Sequence, residues 1–190
     1  MVSALVFLAN GSEEMELTIV VDVLRRANIE VTVAGVDLTT DHALCSRGMK
    51  IVPDILFENV QENEWSKYDV AIVPGGLKGA QTCRDHPRVQ KLLTQLDEQK
   101  KWVAFICAGT IAAKAARIGQ GRSATSYPAF KDELADFYNY SDDRVVVDGN
   151  LVTSRSPGTT FLFALTLVSK LVGDEMASEL SREMLMSANL

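Results

Sequence analysis

The strongest constraint on this 190-residue chain is a set of short, nearly unbroken apolar runs: SALVFLA at 3–9, DVAIV at 69–73 and WVAFI at 102–106. A strand that is apolar at every position is buried on both faces, whereas a half-solvated strand alternates. Such runs separated by helices predict an α/β fold, with helices covering both sides of a mostly parallel sheet. EVTVAGV reads as a further strand, KIVP and DIL as short extended pieces, and VVVDGNLVTS as a hairpin around Asp148-Gly149. Helices are predicted over 13–27, over 85–99 with His86-Pro87 at the start, and from Ala108 to a closing Gly119. Two more run through FLFALTLVSKLV and near 174–186. No repeat, low-complexity stretch or linker interrupts the order, so residues 1–190 read as one domain.

Composition enters by exclusion. A net charge of −6 with no basic run argues against nucleic acid and anionic membranes as partners. ALVFLA lacks a basic flank and reads as a first strand and not a signal peptide. No run approaches the ~18 apolar residues a membrane span requires. Three cysteines (Cys45, Cys83, Cys107) without a CxxC pair predict a reducing compartment and no disulfide framework. With His42 and His86 as the two imidazoles, a zinc site is not expected. Both histidines read as surface residues, and neither Cys45 nor Cys83 has a flanking pattern for reactivity.

In open parallel sheets ligands bind beyond the carboxyl ends of the strands. Those ends carry Asn10-Gly11, Pro74-Gly75-Gly76 and Cys107-Ala108-Gly109. Cys107, between a strand and a helix of small residues, resembles a strand–nucleophile–helix elbow, though Phe105 breaks the full glycine pattern. The helix N-terminus behind it would favour thiolate and lower its pKa. The competing reading is a buried core cysteine. Backbone N–H groups of Gly75 and Gly76, with that of Ala108, would form an oxyanion hole, or the glycines are a plain turn.

Glu13 and Glu14 read as ordinary acids at a helix start, but Glu16 lies inside an apolar arc of roughly 200° on the helix over 13–27. A charge there is costly to bury. If it points at Cys107, a thiolate requires Glu16 to hold the proton and donate to sulfur, the two titrating as a coupled pair. The alternative is an acid that reaches out to water. The arc is wider than the stripe of about 100° a surface helix turns to its own core, so part of it is expected to meet a second subunit.

In order and spacing, GSEEMELTIVVDVLRR, CSRG, VPGG, ICAG and TSRSPGTTFLFAL resemble the parkinsonism-associated deglycase branch of the ThiJ/PfpI superfamily over nearly the whole chain. The resemblance implies a flavodoxin-like three-layer sandwich, a homodimer, and a Cys107 nucleophile with protonated Glu16 beside it. It implies backbone donors at Gly76 and Ala108, Arg47 and the partner subunit's Arg26 at the mouth, and Pro157 near the same pocket. The implied activity is that of a lyase of hydro-lyase type, free of cofactor, metal and glutathione, turning methylglyoxal and related 2-oxoaldehydes into 2-hydroxy acids. Protein deglycation through the same intermediate is also implied, in the cytoplasm with entry to the nucleus.

Two positions depart from that pattern. Tyr127 stands where relatives often have histidine, which leaves proton transfer to Glu16 and makes Tyr127 either a substrate-positioning donor or pocket wall. Thr110 replaces a common proline; its hydroxyl either bonds near the helix start and shifts the cysteine's redox behaviour, or is plain helix-start chemistry. Relatives also have a cysteine matching Cys45 near the dimer contact. Two other classes of function stay open: a redox sensor with Cys107 oxidised to sulfinate, and a chaperone-like or structural dimer that tolerates the loss of Cys107.

Overall fold

The computed structural model describes residues 1–186. Its strands are β1 (Ser3–Leu8), β2 (Glu30–Gly35), β3 (Ala43–Leu44), β4 (Lys50–Ile51), β5 (Ile55–Leu56), β6 (Val70–Val73), β7 (Trp102–Ile106), β8 (Ser123–Ala124), β9 (Asn139–Tyr140), β10 (Val145–Asp148) and β11 (Leu151–Ser154). The helices are α1 (Glu14–Arg26), α2 (Leu77–Asp85), α3 (Pro87–Glu98), α4 (Thr110–Ala115), α5 (Lys131–Leu134), α6 (Thr160–Val172) and α7 (Asp174–Glu183). Seven strands form the central sheet in the order β10-β11-β7-β6-β1-β2-β5. Every pairing in it is parallel except the β10–β11 hairpin.

Strand alternation sends side chains to two cores. Leu5, Phe7, Val73 and Phe105 pack with α3, α4, Phe57 and Trp65 on one side, while Ala4, Val6, Leu8 and Ile106 pack with α1 and α6 on the other. Each fully buried large apolar side chain contributes about 1.5–3 kcal/mol, and β1, β6 and β7 are buried on both faces because helices cover both. This is the flavodoxin-like sandwich. Its consequence for function is that the ends of β1, β6 and β7 lie side by side.

Three expectations change. The helix expected over 85–99 is α3, starting at Pro87, but a further helix, α2, precedes it; His86 separates the two, and its extended backbone (ψ 113°) obeys the restriction on a residue before proline. The helix after Cys107 ends at Ala115, short of Gly119, and Arg117 at φ 57° turns the chain. His86 is not a surface residue. Its Nδ1 accepts from Val89 N–H at 3.3 Å to cap α3, and its ring meets Phe57 edge-on at 5.8 Å. Among the described residues no helix is long and apolar enough to cross a membrane.

Candidate active site

β7 runs extended to Ile106, and the next residue reverses sign: Cys107 has φ 62°. An L-residue in that region is strained by about 1–3 kcal/mol, and the strain aims the sulfur off the end of the sheet. A short turn over Cys107–Gly109 then leads into α4. The carbonyl of Cys107 accepts from Tyr127 N–H at 3.3 Å, which ties the elbow to the following loop.

Glu16 points inward from the first turn of α1 and is wholly buried. Its Oε2 accepts from Gly75 N–H at 2.7 Å, while Oε1 has no partner among the described residues. Gly75 shows how closely the pair approaches. A Cβ added there would sit 2.5 Å from Glu16 Oε2, 2.6 Å from Cys107 Cβ and 2.9 Å from Cys107 Sγ. Carboxyl and sulfur therefore meet over a residue that can only be glycine. Gly76 is constrained differently: at φ 80° a Cβ would lie 2.1 Å from Gly11 O. Since the Gly75 N–H is taken by Glu16, the hole expected from Gly75, Gly76 and Ala108 is reduced to Gly76 and Ala108.

Burial pushes the Glu16 carboxyl up from 4.5 to about 8, against the stabilising bonds from Gly75 and Cys107, and the nearby Glu13 charge adds to the rise. At neutral pH Glu16 is mainly a neutral acid. The Cys107 thiol is also raised, first by burial and then by the Glu16 charge, while the N–H groups of Ala108 and Gly76 favour sulfur's anion. The expected depression by a helix N-terminus is thus overturned: α4 has six residues, and burial beside a carboxyl outweighs it. Neutral Glu16 removes the repulsion and leaves the two N–H donors. Cys45 and Cys83 are pushed by burial to about 11 and about 12.

A cavity of about 1020 Å³ opens over the elbow and brings together Cys107, Gly76, Ala108, Arg47, Tyr127 and Pro157. Gly75 and Glu16 do not line it; they stand behind the sulfur. Arg26 is elsewhere in this chain, ten residues and about 15 Å along α1 from Glu16, in an ion pair with Asp22 at 2.7 Å. Thr110 does not act at the helix start. Its buried Oγ1 donates to Thr125 O at 3.1 Å and ties α4 to the segment after β8.

Two residues read as ordinary acids do specific work. Glu13 Oε2 accepts from Glu16 N–H at 2.8 Å and caps α1. Glu14 is opposed by burial yet kept below the usual carboxylate range by bonds from Ser46 Oγ (2.8 Å), Arg47 N–H (2.8 Å) and Met49 N–H (3.4 Å). It thereby pins the loop that presents Arg47 to the cavity. The only sequence signal was the crowding of three acids into one turn. Outside the cavity, Asp37, Glu58 and His86 present ligand atoms within 4.8 Å of one another. A metal-bound imidazole donates its other N–H outward, whereas His86 Nδ1 accepts, so the ring is set against ligation.

Comparison with known proteins gives the family. Residues 2–170 match the DJ-1/PfpI family. The chain is 44% identical over 185 residues to Parkinson disease protein 7 homolog of Danio rerio, covering 96% of each. It is 31% identical over 180 residues to glutathione-independent glyoxalase DJ-1 of Schizosaccharomyces pombe, covering 92% of this chain and 94% of that protein. The crystal structure of Drosophila melanogaster DJ-1beta superposes with a TM-score of 0.91 at 41% identity over 98% of each chain. The chain belongs to the DJ-1/PfpI family.

Proposed function

We propose that this member of the DJ-1/PfpI family is a lyase, a cofactor- and glutathione-independent glyoxalase that converts methylglyoxal and related 2-oxoaldehydes to 2-hydroxy acids. The observation that carries the reading is the meeting of the Glu16 carboxyl and the Cys107 sulfur over Gly75, with Oε1 unpartnered. The name of the Schizosaccharomyces pombe relative supports it.

Sulfur attacks the aldehyde carbon as its anion, forming a C–S bond as the C=O π pair moves to oxygen, and that oxygen takes the Glu16 proton to give a hemithioacetal and leave Glu16 as carboxylate. Gly76 and Ala108 N–H groups stabilise the charge that develops. Glu16 then carries the proton from C1 to C2 through an enediol, which oxidises C1 to a thioester and reduces C2 to an alcohol. Water cleaves the thioester, releasing the 2-hydroxy acid and the thiol. The net change adds one water to the substrate and requires no external oxidant or reductant. Glu16 is well suited to this, because a neutral buried acid with one free oxygen neither repels the sulfur's anion nor competes for water. Arg47 and Pro157 border the cavity, and Tyr127 serves as a substrate-positioning donor. Protein deglycation would pass through the same hemithioacetal.

We further place the protein as a homodimer, with half-exposed Met15 and partly covered Ile19 on α1 facing the second copy and the partner subunit's Arg26 at the mouth. We assign it to the cytoplasm and nucleus. The test is lactate formation from methylglyoxal without glutathione. Wild type is expected to turn over and Cys107→Ser not to; equal rates would overturn the proposal. A second reading, oxidation of Cys107 to sulfinate under stress, is favoured because Cys107 is the least buried of three cysteines. Mass analysis after mild peroxide should then find two oxygens on Cys107 before Cys45 is modified.

A further inference from the structure

Three hydrogen bonds close a ring behind the sulfur. Glu13 N–H donates to Gly75 O at 2.9 Å, Gly75 N–H donates to Glu16 Oε2 at 2.7 Å, and Glu16 N–H donates to Glu13 Oε2 at 2.8 Å. Each residue gives its backbone N–H and receives at an oxygen. The Glu16 carboxyl is therefore aimed by a ring whose third member is Glu13.

Capping alone does not require an acid of this length. Serine, threonine, asparagine or aspartate satisfies a helix start as well or better. What glutamate adds is a negative charge with a longer reach. Glu13 is 8% exposed and borders the substrate cavity, while Glu16, three residues on, is wholly buried. Two acids packed so closely repel one another when both are charged. The Glu13 charge therefore adds to the burial that already favours the neutral form of Glu16.

We propose that Glu13 is a positioning residue that fixes where Glu16 points and, through its charge, reinforces the burial that keeps Glu16 protonated. The inference rests on the reading of Glu16 as the acid paired with Cys107. Cys107 from the elbow is the other ionisable group at Glu16 among the described residues, while Arg47 from the β3–β4 loop and Lys78 from α2 line the cavity that Glu13 borders. Glu14 faces away, toward Ser46 and Arg47. Glu13 is the acid next to Glu16 on its own helix, and its charge raises the Glu16 carboxyl further.

Glu13→Gln separates the two roles, because its amide oxygen still accepts from Glu16 N–H but carries no charge. Glu13→Ala removes both. The readout is the rate of Cys107 alkylation by iodoacetamide from pH 5 to 10, followed by intact mass, with Tm measured alongside. Without the Glu13 charge the Glu16–Cys107 pair loses its first proton more readily. Glu13→Gln should therefore move the lower midpoint down by roughly 0.5–1 pH unit with Tm nearly unchanged. Glu13→Ala should show the same shift with a Tm lower by about 2–4 °C. A Glu13→Gln profile superimposable on wild type, or one moved upward, would overturn the proposal. Alkylation reads the pair without turnover. A shifted profile in a protein that makes no lactate would refute the glyoxalase reading and leave this one standing; an unshifted profile in an active enzyme would do the reverse.

Discussion

The two ends of β7 solve the same problem in opposite ways. At the amino end, Asn150 is buried with its amide fully used: Nδ2 donates to Asp97 Oδ1 at 3.0 Å and to Lys101 O at 2.7 Å, and Oδ1 accepts from Arg122 at 2.9 Å. At the carboxyl end, Glu16 is buried with one oxygen unpartnered, and Cys107 sits in a left-handed backbone. Buried polar groups are normally satisfied, and the amino end follows that rule because its role is to hold the strand in register. The carboxyl end breaks it beside the open cavity. Polarity kept satisfied at one end of the strand stabilises the sheet; polarity left unsatisfied at the other end, on α1, is available for chemistry.

That contrast can be broken in several ways. The largest effect is expected for Cys107→Ser, which should leave lactate formation at background, followed by Glu16→Gln at about 10²–10⁴-fold below wild type. Glu16→Gln with activity near wild type would remove the chemical half of the contrast. Gly75→Ala comes next. Its Cβ must displace the carboxyl or the sulfur, so steady-state assays should show a loss of about 10²-fold, with about 1–3 kcal/mol of stability lost to overpacking in denaturant titrations.

Stability against pH sharpens the comparison. Glu16 is raised from 4.5 to about 8, so its neutral form contributes fully below about pH 4.5 and the contribution is lost as pH rises through about 8. Wild type should lose on the order of 5 kcal/mol relative to Glu16→Gln across that window. Urea titrations at pH 5 and pH 9 would check it, and a gap that does not widen with pH would count against a buried neutral acid. The smallest effect belongs to the amino end. Asn150→Ala should cost about 1–3 kcal/mol while kcat per folded molecule stays at the wild-type value.

The sequence made the carboxyl end more legible than the amino end. SALVFLA, DVAIV and WVAFI announced parallel strands because burial on both faces leaves no polar positions, and their ends named Gly75, Gly76 and Cys107. Glu16 stood out as an acid inside an apolar arc. Glu13 and Glu14 did not, because their partners, Gly75 and the Ser46–Met49 loop, are distant in sequence and helix-start acids are common. The lowered Cys107 pKa was misread because local sequence displays the helix start but not the depth of burial. His86 was taken for a surface residue because its partner Phe57 lies 29 positions away. The break between α2 and α3 was visible in His86-Pro87, yet polar residues on both sides masked the first helix.

The central claim, that Glu16 is a neutral acid at the sulfur, is tested most directly by infrared difference spectroscopy of wild type against Glu16→Gln. Wild type at pH 7 should show a protonated-carboxyl C=O band that is absent from the variant and titrates away near pH 8. Finding only carboxylate bands for Glu16 at pH 7 would contradict it.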